Sequence, residues 1–140
     1  MATKIRPIVS KKREYYISKH RYYELKHFCL QYNEWKKILL YKYSPSSKSI
    51  IFHTDHNPEF DDPVGNEALR AEEAEKNIKL VEDSAELTDK FLSPYILECV
   101  TQERSYSYLK MVLNMPCGRD HFYISYHKFF WILDKQKRYA

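Results

Sequence analysis

The stretch Ser105-Tyr106-Ser107-Tyr108-Leu109-Lys110-Met111-Val112-Leu113-Asn114-Met115-Pro116-Cys117-Gly118-Arg119-Asp120-His121-Phe122 decides the fold. Ser105 is a helix N-cap residue, because its hydroxyl can accept an orphan N–H of the first turn. Tyr108, Leu109, Val112 and Leu113 follow at the three-and-four spacing of one helical face. Asn114 tolerates the left-handed conformation that ends helices, and Met115-Pro116-Cys117-Gly118 reads as a turn. A longer helix is then predicted over 120–137, with Phe122, Tyr126, Phe129, Phe130 and Leu133 on one face. A short helix, a tight turn and a longer helix with an aromatic face form the trihelical helix-turn-helix plan, once a preceding helix is present.

That preceding helix is predicted over 94–102, where Ser93-Pro94 supplies a cap followed by Pro at the first helical position. Asp62-Pro63 repeats the signal and opens a helix running to Leu87. Within it Val64, Ala71, Ile78 and Ala85 recur every seven residues, with Ala68, Ala74 and Val81 between them, a narrow seam of coiled-coil type. A first helix is predicted over 18–42, with Ser18 as cap and Leu25, Phe28, Tyr32, Trp35 and Leu39 as its apolar stripe. The expected fold is therefore all-α: a basic flexible arm (1–17), a long antiparallel helical hairpin (18–88) with an intervening loop (43–61), and a C-terminal helix-turn-helix (89–140).

Composition agrees with helices. The 140 residues include thirteen Tyr but two Gly, and turn-dense β folds need more glycine than that. Charge is strongly segregated: residues 1–48 carry +9, residues 49–104 carry −9 and residues 105–140 carry +4. Helix-to-helix complementarity explains this pattern, and so does a basic footprint for nucleic acid at both ends. No run approaches the roughly 18 apolar residues of a membrane span, and no apolar segment follows the basic N-terminus as a signal peptide requires. Cys29, Cys99 and Cys117 are odd in number and widely spaced, which argues for a reducing, cytoplasmic setting.

Seating the last helix by its aromatic face, on Leu109, Val112, Leu113 and Met115, leaves the opposite face free for a major groove about 12 Å wide. Arg119, His121, Tyr123 and Ser125 are the expected base-reading residues. Ser105, Ser107, Lys110, His127 and Lys128 are the expected phosphate contacts. His53-Thr54-Asp55-His56 offers metal-ligand types, but a loop with no cysteine nearby reads more simply as surface. Cys117 with His121 belongs to the turn, and Asp61-Asp62 to capping. No glycine-rich phosphate loop or nucleophile motif is visible, so the sequence makes no case for an enzyme, a metal or a cofactor.

The stretch Tyr95-Ile96-Leu97-Glu98-Cys99-Val100, followed by the Ser105-Tyr106 opening and the ladder to Met115, resembles the region-four DNA-binding module of bacterial sigma factors. With the Asp62-Pro63 helix before it, the chain is similar to small phage transcription regulators of the ArpU and RinA type, over roughly residues 60–135. Its turn into Phe122 is about two residues longer than theirs. The resemblance implies a phage or prophage regulator in a bacterial host, binding double-stranded promoter DNA and contacting RNA polymerase or another host protein. A second copy of the chain is a further candidate partner, and a membrane is not. A rival reading makes the acidic middle the active surface, so that a phage-encoded inhibitor or adaptor engages a host nucleoprotein; a DNA-packaging accessory is a third.

Overall fold

The computed structural model describes residues 5–42 and 63–139. Every regular element among them is an α-helix: α1 (Lys19–Leu30), α2 (Tyr32–Lys42), α3 (Pro63–Thr88), α4 (Ser93–Gln102), α5 (Tyr106–Met111) and α6 (Arg119–Tyr139). The loop at 43–61, its His53 to His56 cluster and the cap at Asp62 lie outside the described residues. No helix among those described is long and apolar enough to cross a membrane.

The helix expected over 18–42 is two helices. Ser18 caps α1, its Oγ accepting the Arg21 N–H at 3.4 Å. Gln31 then ends it, with φ −79° and ψ −3° and its N–H turned to the Phe28 carbonyl at 3.2 Å. An i→i+3 bond of this kind tightens the last turn and breaks the α-helical ladder. The buried stripe of α1 is accordingly Tyr22, Leu25 and Cys29, and Phe28 is only half-buried.

The chain divides into two compact units, one comprising residues 1–31 and 80–140 and the other residues 32–79. The second contains α2 and the larger part of α3, in which Trp35, Ala71, Ala74 and Ile78 are buried. Ala68, expected in the seam, is exposed, as is Leu69 beside it.

In the first unit α1 packs on α4 and α6, and α4 also packs on α5 and α6. The core is aromatic along α6. Phe122, Phe129, Phe130 and Leu133 are fully buried and Tyr126 nearly so. Tyr22 sets its ring edge-on to Phe130 at 5.2 Å, and Tyr126 does the same at 5.0 Å, the tilted geometry that aromatic quadrupoles favour. Two polar links tie distant segments together. Arg21 Nε donates to Asp134 Oδ1 at 2.6 Å, and Arg138 reaches the same oxygen at 3.3 Å. The Tyr22 and Tyr126 hydroxyls meet at 2.7 Å, and Tyr22 donates onward to the Ile5 carbonyl at 2.9 Å. The arm preceding α1 is therefore anchored, and Tyr15 adds a second anchor edge-on to Trp131 at 5.5 Å.

Ser93 was expected to cap α4 but lies in its first turn. The cap is Leu92, whose N–H, with that of Phe91, is accepted by Asp89 Oδ1 at 3.1 and 2.9 Å. The carboxylate organises the turn before the helix, and Pro94 needs no N–H partner in its first turn.

Candidate nucleic-acid interface

Ser105 opens α5 as its N-cap, Oγ accepting the Tyr108 N–H at 3.2 Å. Leu109 is the fully buried anchor of this six-residue helix. Val112 closes it, donating to the Tyr108 carbonyl at 2.9 Å. Val112 and Leu113 therefore do not extend the helical face: Val112 is 60 % exposed, and Met115 takes the buried place beside Leu109. Asn114 adopts φ 54°, a left-handed conformation that its short amide side chain tolerates. The chain then doubles back far enough for the Met115 N–H to reach the Leu109 carbonyl at 3.0 Å.

Lys110 braces the rest of the turn. Its Nζ donates to the carbonyls of Met115 and Cys117, each at 3.1 Å. A lysine expected to meet phosphate thus spends two of its three donors on its own turn. Gly118 stands ahead of α6, its carbonyl accepting the Phe122 N–H at 3.0 Å. Seven residues (112–118) separate α5 from α6, against the three or four of a compact helix-turn-helix turn.

Arg119, the first residue of α6, is exposed, with its guanidinium 5.1 Å above the Tyr106 ring. Tyr106 also meets Tyr123 edge-on at 6.3 Å. These contacts bring Arg119, Tyr106 and Tyr123 together at the head of α6. Cation–π seating restrains the long arginine side chain without consuming its donors. His121 is exposed, its Nε2 3.9 Å from the Asp89 carboxylate. Ser107 is exposed on α5.

Other expected positions are placed differently. Ser125 is 7 % exposed and belongs to the buried face of α6. Its spacing from Phe122 and Phe129, three and four residues, is a core spacing legible in the sequence. Tyr123 and Lys128 are half-buried. His127 is half-buried too, and burial, with the charge of Arg13, lowers its pKa from 6.5 to about 4. The ring is therefore neutral near pH 7 and brings no positive charge to a phosphate. Two residues were missed by sequence reasoning: Tyr106, which seats Arg119, and Arg104, whose guanidinium lies 4.4 Å over Tyr108 and 3.7 Å from Glu98. A Tyr three residues before a buried Leu, at the helix start, was the available signal for Tyr106.

Among the described residues no group of three or more His, Cys, Asp or Glu is placed to hold a metal ion. Cys29 and Cys99 are buried, and desolvation pushes both thiols up, Cys99 to about 12. Cys117, in the turn before α6, is only partly covered. No family model matches the chain, and neither does any curated protein or solved structure.

Proposed function

We propose that the chain is a sequence-specific double-stranded DNA-binding regulator of phage type, which contacts promoter DNA and RNA polymerase. The observation that carries the reading is the head of α6. Arg119 is exposed and seated over Tyr106 at the start of a 21-residue helix held to the core by its aromatic face. An arginine so placed can meet the O6 and N7 of a guanine with paired donors when the helix end enters a major groove. His121 reads beside it and Tyr123 borders the contact. Ser107 and Lys128 supply phosphate contacts, and the third donor of Lys110 is available for another. Residues 32–88, most of the expected hairpin, then serve polymerase or a second copy of the chain.

Exposed Glu72, Glu73 and Glu75 on α3 favour a second reading, in which an acidic helix surface occupies a basic groove on a host nucleoprotein. Selection from a random duplex pool tests the first reading. It predicts one enriched site whose preference Arg119→Ala relaxes at a single base pair, with a cost of about 1–3 kcal/mol. Binding without sequence preference overturns specific recognition. A stoichiometric complex with a nucleic-acid-binding protein, and no duplex binding, establishes the second reading in its place.

A further inference from the structure

Residues 6–14 are held at both ends against the unit that contains α6. On one side the Ile5 carbonyl accepts the Tyr22 hydroxyl, itself bonded to buried Tyr126 of α6. On the other, Tyr15 rests edge-on against Trp131 of α6. Between these anchors the backbone folds into consecutive turns. Ser10 accepts the Arg13 N–H on its carbonyl at 3.2 Å and the Lys12 N–H on its Oγ at 3.4 Å, and Arg13 accepts the Tyr16 N–H at 3.3 Å. The turns present Lys11, Lys12 and Arg13 side by side. All three are exposed, as is Arg6, and among the described residues none of the four is in an ion pair. The segment's acid, Glu14, is exposed and, after desolvation by burial, helps raise the pKa of the neighbouring Tyr15 hydroxyl.

We propose that residues 6–14 form a tethered cationic loop that binds the DNA phosphates bordering the groove entered by α6. The inference rests on the DNA-binding reading above. Its geometry follows from helix rise: His127 lies eight residues beyond Arg119, about 12 Å along the axis at 1.5 Å per residue. A major groove is about 12 Å wide, so a helix that places Arg119 on bases brings the level of His127 to the flanking backbone. His127 is neutral there, and Arg13 is near enough to act electrostatically on its ring. The positive charge at the groove edge therefore comes from the arm. Tethering at both ends fixes the loop before binding, so less ordering entropy is lost on contact with phosphate.

The test is the salt dependence of binding to a fluorescent random-sequence duplex, followed by anisotropy between about 50 and 200 mM salt. Lys11→Gln/Lys12→Gln/Arg13→Gln is compared with Lys37→Gln/Lys76→Gln/Lys79→Gln, which removes the same charge from exposed positions in the other unit. The arm variant is expected to lower the slope of log K against log salt by up to about 3, weakening all sequences alike, while the control keeps the wild-type slope. All six side chains are exposed, and circular dichroism checks that both variants fold. An unchanged slope in the arm variant overturns the inference and leaves the DNA-binding reading standing. So does an equal fall in the control, which reduces the effect to net charge. A wild-type chain that binds no duplex at the lowest salt overturns both.

Discussion

Two side chains show how burial decides chemistry at single positions. His127 has a folded pKa of about 4 against 6.5 for the free group. Between these values the unfolded chain binds a proton that the folded chain does not, so stability is fully present above about pH 6.5 and falls as the pH drops toward 4. Urea midpoints measured at pH 5 and pH 7 should show this slope, and His127→Asn should flatten it. A midpoint equally pH-dependent in the variant assigns the slope to other groups. Asp134 is the second case. It is 8 % exposed and holds Arg21 of α1 to α6 at 2.6 Å. Asp134→Ala leaves the part-buried Arg21 guanidinium with exposed Glu24, at 2.9 Å, as its remaining carboxylate, and is expected to cost about 1–3 kcal/mol in chemical denaturation. A loss below about 1 kcal/mol would reclassify the link as a surface pair.

The helix ends were largely legible in the sequence, because capping is local chemistry. Ser18 and Ser105 cap where their hydroxyls predict, Pro63 opens α3, and Asn114 takes the left-handed turn. At Asn114, where φ is 54°, Asn114→Gly is expected to be neutral or stabilising, and Asn114→Val to cost about 1–2 kcal/mol in thermal or urea unfolding. At the head of α6, an added Cβ on Gly118 meets nothing within 4 Å. Gly118→Ser should therefore stabilise by a few tenths of a kcal/mol through N-capping, and a loss of stability would show that glycine is needed there. What was not legible depends on tertiary placement. No local pattern joins Arg21 to Asp134, or Tyr22 to Tyr126 and Ile5. The helix break at Gln31 occurs within a stretch of good helical periodicity, and only the packing of Tyr22, Leu25 and Cys29 selects the face that α1 buries. Lys110 looked like a phosphate ligand because nothing nearby in sequence foretells that its ammonium will brace two turn carbonyls. At Ser125 the helical spacing was present, and the core face of α6 proved wider than its aromatic residues alone suggested.

At the level of the whole chain, each of the two compact units holds one tryptophan, Trp35 in one and Trp131 in the other. Phe130 is fully buried in the unit that holds Trp131, and Phe130→Ala is expected to cost about 3–5 kcal/mol there. In single-tryptophan backgrounds made with Trp35→Phe or Trp131→Phe, the unfolding midpoint reported by Trp131 should fall. The midpoint reported by Trp35 should move less. Equal shifts at both reporters would mean that the units unfold as one cooperative block.

The contrast among the three sulfurs has a practical consequence. A maleimide dye reacts with thiols that solvent reaches, and in the native chain Cys117 is the one so presented, because Cys29 and Cys99 are sealed in the core. One fluorophore per molecule would then sit in the turn braced by Lys110, a few residues before Arg119. Its emission would report the occupancy of that end of α6 directly, without engineering a new attachment point.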